Sequence, residues 1–175
     1  MKNILKVLLF LFLVTCVCPV NAQKLKDFYV SYPQPSGKLF HVFPVAFFQH
    51  KTEGDLVFDI TYQCGKDSAV INFTYYAPQA DPLDSIRFVS GKVLLAGKAE
   101  RLYVEANTVK KWEHRYSLKV PVNHLYAFFN PVEKASASLY VNAAVKDYEL
   151  KRSEWNKKAP VFQTIMKTIR LDCGK

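Results

Sequence analysis

The sequence predicts an all-β fold, or a β-rich α+β fold. The expected form is an antiparallel β-sandwich or partly open barrel of about eight short strands, with one C-terminal amphipathic helix packed on the sheet. Three observations lead there. Apolar residues recur with a period of two through most of the chain, turn residues interrupt them every ~8–12 positions, and the period becomes helical only near the end. The expected organisation is a cleaved secretory signal peptide over 1–22, a loosely ordered N-terminal arm over 23–37, and a single domain over 38–175 whose helix runs at about 159–170.

The leader comes first. Lys2 and Lys6 precede an unbroken apolar run from Val7 to Val14, and Val20-Asn21-Ala22 offers a cleavage position after Ala22. A membrane-spanning helix needs roughly 20 apolar residues, and neither this run nor any later one reaches that length. Cys16 and Cys18 raise lipid anchoring as a less favoured alternative to a soluble exported product, periplasmic or extracellular.

The arm carries Pro33, Pro35, Ser36 and Gly37. Leu39–Phe48 is rich in β-branched and aromatic residues, but Pro44 interrupts it, which predicts an edge strand or two short ones. Residues 56–62 put Leu56, Phe58, Ile60 and Tyr62 on one face, and residues 69–76 do the same with Ala69, Ile71, Phe73 and Tyr75. Cys64-Gly65-Lys66-Asp67-Ser68 joins the two runs as a hairpin turn. Ser85–Val89 and Lys92–Leu95 flank the turn signal Ser90-Gly91, and Arg101–Val104 reads as a further short strand.

The clearest alternation lies at 110–120. Trp112, His114, Tyr116, Leu118 and Val120 oppose Lys111, Glu113, Arg115, Ser117 and Lys119, so one face is wet. Asn123 is a candidate cap for a helical turn over His124–Phe129. Residues 135–143 alternate again, and Tyr148 with Leu150 makes a second hairpin plausible. Phe162, Ile165, Met166 and Ile169 form the stripe of the terminal helix, with Pro160 in its first turn and Trp155 as a continuation past a kink.

Two cysteines, Cys64 and Cys173, remain after the leader. In an oxidising compartment they are expected to pair and to pin the C-terminus. Chain entropy puts the contribution of such a long closed loop near roughly 4–5 kcal/mol as an upper figure.

Catalytic signatures are lacking. The sequence holds no Gly-rich phosphate loop, GxSxG elbow, HExxH or EF-hand pattern. His41, His50, His114 and His124 lack ligand spacing, so no metal and no cofactor is expected, and His114 reads as a core histidine. Asp81 and Asp84 bracket Pro82-Leu83 in the one long internal loop candidate. They suit turn bonding, or an acid/base or calcium role if the fold supplies partners. Tyr75-Tyr76 is one of several adjacent aromatic pairs in a chain with 10 Tyr and 13 Phe, and in a strand one member must face outward. The sequon Asn72-Phe73-Thr74 lies mid-strand and is taken as coincidence.

A net charge of +9 permits weak attraction to anionic envelope surfaces or acidic glycans. The basic stretch at 146–158 is interrupted by Asp147, Glu149 and Glu154, too diluted for a nucleic-acid footprint. The expected function is an exported, non-enzymatic binding or envelope-associated module for a protein or glycan. Its candidate contact residues are Asp81, Asp84, Tyr75 and Tyr76. The alternatives are a small secreted hydrolase using Asp81/Asp84 and a protein inhibitor or immunity-type partner.

Overall fold

The computed structural model describes residues 25–107 and 111–174. The leader expected over 1–22, with Cys16 and Cys18, lies outside them. The ten strands among the described residues are β1 (Tyr29–Tyr32), β2 (Leu39–His50), β3 (Gly54–Gln63), β4 (Ser68–Ala77), β5 (Leu83–Ser90), β6 (Val93–Lys98), β7 (Glu100–Ala106), β8 (Trp112–Pro121), β9 (Ala135–Val141) and β10 (Ala144–Leu150). Two helices accompany them, α1 (Val122–Phe128) and α2 (Arg152–Asp172). The strands form one sheet in the order β6-β5-β9-β10-β2-β3-β4-β8-β7, with β1 added beside β2. All the pairings are antiparallel.

The sheet curls into a nearly closed barrel. β6 pairs β5 at one end of the strand order and β7 pairs β8 at the other, yet only Ala99 separates β6 from β7. A single extended segment therefore turns the corner between the two ends, the usual device for strands that change sheets. β6 passes β8 closely enough that a Cβ on Gly97 would come within 3.2 Å of Leu118 Cδ1. The alternating faces read from the sequence point inward: Leu56, Phe58, Ile60, Tyr62, Ala69, Ile71, Phe73, Tyr75, Tyr116, Leu118 and Val120 are all buried. Phe58, Phe73 and Phe88 meet at centroid separations of 5.8–6.2 Å inside the barrel. α1 fills the end near the β5–β6 turn with Leu125 and Phe128.

β2 corrects one expectation. It is neither an edge strand nor two strands, but a continuous twelve-residue strand at the centre of the sheet. Register shifts between Val42 and Val45 and between Ala46 and Phe48 absorb the proline, because a bulge removes the demand for a ladder hydrogen bond there. On its other side β2 pairs β1 only over 39–42 and β10 only over 48–49, so Pro44 sits where no neighbour needs its missing N–H. The second bulge lets both Phe47 and Phe48 be buried. Phe48 packs on Phe58 and Phe88, while Phe47 packs edge-on against Trp155 and Phe162 of α2 at 5.1 and 5.3 Å.

Three other elements differ from expectation. The arm over 23–37 contains β1, paired antiparallel with β2 from Tyr29↔Val42 to Tyr32↔Leu39. Asn123 does not cap α1. The helix starts at Val122 behind Pro121, with no side-chain cap, because burial of Val122 and the fixed φ of proline set the entry. α2 begins at Arg152 rather than near 159, and Pro160 lies inside it. Trp155 and Ala159 continue the buried stripe of Phe162, Ile165, Met166 and Ile169, and that packing offsets the hydrogen bond the proline removes. No helix of the described residues is long and apolar enough to cross a membrane.

The sulfur atoms of Cys64 and Cys173 lie 1.98 Å apart, with 5.1 Å between the Cα atoms, as the pairing expectation requires. The junction joins the β3–β4 turn to the end of α2. Gly37 stands against it with φ +113, and a Cβ there would come 2.9 Å from the Cys64 carbonyl oxygen, so only glycine fits that close approach. Lys38 Nζ adds an exposed ion pair with Asp172 at 2.9 Å.

Candidate functional site at the barrel mouth

The ends of β4 and β9 and the starts of β8 and β10 converge at the barrel end opposite α1. Tyr75, Ala77, Pro78, Gln79, Asp81, His114, Val141 and Lys146 line a cavity of about 40 Å³ there. The loop 78–82 roofs this mouth and is held at both ends by β8. His114 Nε2 donates to the Gln79 carbonyl oxygen at 2.9 Å, and the Leu83 N–H donates to Tyr116 Oη at 3.1 Å. His114 and Tyr116 can do this together because alternate residues of a strand share one face.

Beside the cavity lies a half-buried ion pair. The β2–β3 turn is closed by His50, whose Nδ1 accepts the N–H groups of Thr52 and Glu53 at 3.4 and 3.3 Å. The turn presents Glu53, which is only 8% exposed. Its Oε1 pairs with Lys146 Nζ at 2.5 Å, and its Oε2 accepts the Tyr148 hydroxyl at 3.0 Å. Burial, and then the Glu53 charge, push the Tyr148 phenol up from its ordinary range.

Two polar atoms at the cavity lack partners. Tyr75 and His114 stack at 4.6 Å, nearly parallel, and are 1% and 0% exposed. The Tyr75 hydroxyl and His114 Nδ1 are buried without a hydrogen-bond partner. A carbonyl only accepts, so the His114 proton sits on Nε2 and Nδ1 keeps its lone pair. Burial holds the imidazole below its usual range, opposed by the bond to Gln79. Burial likewise raises the Tyr75 phenol, helped by Tyr116, Glu53 and Asp81.

The structure separates the four residues singled out from the sequence. Tyr75 and Asp81 line the cavity. Tyr76 points to the opposite face, where its hydroxyl donates to Glu113 Oε2 at 3.2 Å. Asp84 is exposed at the register irregularity that opens β5, outside the cavity lining. Sequence reasoning missed Glu53, Lys146 and Gln79, which lie in turns or at strand ends far apart in the chain. The alternation did place His114 on the inner face, but no spacing rule joined it to Asp81. Among the described residues no cluster of His, Cys, Asp and Glu is placed to hold a metal ion.

A second polar network lies on the outer wall. Asp59, 2% exposed, accepts from Asn72 Nδ2 at 2.8 Å and from Arg115 Nη2 at 2.5 Å, and Arg115 Nη1 donates to Thr74 Oγ1 at 2.9 Å. Each partner is satisfied by a neighbour in the wall, which marks the network as a clamp across β3, β4 and β8. Comparison with protein families, curated proteins and solved structures gives no match for the chain.

Proposed function

We propose that the protein is an exported, non-enzymatic binding module that meets its partner at the barrel mouth, with weak envelope-surface association through its basic charge. The supporting observation is the pair of buried, unpartnered polar atoms at Tyr75 and His114 beside the solvent-bordering loop 78–82. Such atoms cost stability, roughly 1–3 kcal/mol each, and contribute to folding only when a ligand or water completes them. The leader-like pattern of residues 1–22 and the cysteine pair support an oxidising compartment.

The test is capture from envelope extracts and glycan arrays with the processed protein immobilised. Asp81→Ala and Gln79→Ala should abolish capture of a given partner, while Lys98→Ala on β6 should leave it unchanged. Equal capture by all variants would remove the mouth from the binding surface. Trp112 pairs with Ala77 in the ladder next to the loop and gives a fluorescence signal for titration.

One observation favours a second function. Asp81 shares a cavity with the lone pair of His114, the arrangement a small hydrolase using Asp81 requires. The volume seats water and excludes a sugar ring, so a substrate would approach from outside the loop. Turnover of ester or glycoside substrates that disappears in His114→Gln would establish it, and turnover unaffected by that change would not.

A further inference from the structure

We propose that the mouth cavity binds a primary ammonium group, an inference that rests on the mouth being the binding site and names the chemistry it recognises. The charge count comes first. Asp81 and Lys146 are the charged residues in the lining, and Lys146 is already neutralised by Glu53. No described side chain pairs with the Asp81 carboxylate, so the cavity carries one uncompensated negative charge.

The hydrogen-bonding inventory points the same way. His114 Nδ1 can only accept, the Asp81 carboxylate can only accept, and Tyr75 Oη has lone pairs and no partner. A primary ammonium offers three N–H donors and one positive charge to two obligate acceptors, a phenol lone pair and one negative charge. Water can donate to the two obligate acceptors and accept from the phenol, but it leaves the charge standing. A bare alkali cation prefers oxygen and gains little from an imidazole nitrogen. The size also fits. About 40 Å³ exceeds the ~10–15 Å³ that one water requires and has no room for a bulky substituted amine. The group could come from a free amine, a lysine side chain or a polypeptide amino terminus.

Long-range proton–nitrogen spectra of the nitrogen-15-labelled protein at neutral pH read the His114 Nδ1 resonance directly, with His114→Gln identifying the peak. The expected result is a saturable shift with ammonium or methylammonium chloride. Tetramethylammonium chloride and sodium chloride at matched ionic strength should give none. Asp81→Asn should weaken the effect at least ~10-fold, and Tyr75→Phe several-fold, with unchanged circular dichroism.

Two peptides separate the sources. One carries lysine behind an acetylated terminus, and the other has a free terminus and no lysine. No saturable shift with any amine, or an equal shift with tetramethylammonium or sodium, overturns the proposal and leaves an ordered water as the occupant. Partner capture that depends on Asp81 without any amine effect would retain the binding site and discard the ammonium. Loss of both would discard the site.

Discussion

Asp59 and Arg115 are joined across an intervening strand. Arg115 Nη2 lies 2.5 Å from Asp59 Oδ2, although β4 separates β3 from β8, and Asn72 of β4 donates to the other carboxylate oxygen. The carboxylate is nearly inaccessible, while the arginine side chain keeps 27% of its exposure. The pair therefore behaves as a half-buried clamp, between an exposed bridge and a dry one.

Asp59→Ala is expected to destabilise the fold by about 2 kcal/mol, below the ~3–5 kcal/mol of a fully buried pair because Arg115 remains partly solvated. Asp59→Asn should cost less, since the amide still accepts from Asn72. Urea unfolding of both variants checks the order, and equal midpoints for the two would contradict it.

Replacing both Cys64 and Cys173 by serine should lower stability by about 2–4 kcal/mol, short of the chain-entropy figure. The loss should concentrate at the end of α2 beyond Ile169, which the junction, the Lys38–Asp172 pair and the stacking of Arg170 on Tyr126 hold in place. Amide exchange of the last turn should quicken more than exchange of β3 or β4.

His114 sets a pH dependence with a definite sign. Its folded-state pKa lies below that of the unfolded chain, chiefly through burial, so the unfolded state binds more protons in between. Its contribution to stability is present above the unfolded value of ~6.5 and is lost as the pH falls through it. Lys146 opposes its protonation, while Glu53, Asp81 and the Gln79 carbonyl favour it. Unfolding free energies at pH 7.5 and 5.0 should differ more for the wild type than for His114→Gln, and an equal difference would refute the assignment.

Asn142 and Ala143 occupy the two-residue turn between β9 and β10 with φ of 49° and 63°. Such turns place both central residues in the left-handed region, which suits Asn followed by Gly. Ala143→Gly should therefore stabilise the protein by up to about 1 kcal/mol, because relief of the alanine's strain outweighs the extra freedom of the unfolded chain. Thermal unfolding measures it, and a lower midpoint would contradict it.

On the outer wall, the Tyr103 hydroxyl donates to Glu113 Oε1 at 2.7 Å, and that bond with burial pushes its phenol up to about 12. Glu113→Gln removes the charge and should return Tyr103 toward its ordinary value near ~10. The change is readable as earlier tyrosinate absorbance on raising the pH, and an unchanged titration would contradict it.

What the residues determined by themselves was local and periodic. Strand faces such as Leu56–Phe58–Ile60–Tyr62 and the helical stripe from Phe162 to Ile169 follow from side-chain direction along a strand or helix, so hydrophobic spacing suffices to read them. The Cys64–Cys173 pairing was also legible, because only two cysteines lie beyond residues 1–22. Tertiary structure alone decided the rest. Nothing near Pro44 announces that two bulges keep β2 whole and turn both Phe47 and Phe48 inward. Trp155 gave only a hint that α2 runs through Pro160, since packing against Phe47 offsets a propensity the local sequence argues against. The mouth was the least legible part. Glu53, Asp81, His114 and Lys146 come from four separate segments, and their convergence depends on how far the sheet curls, a property of the whole strand order that no local spacing records.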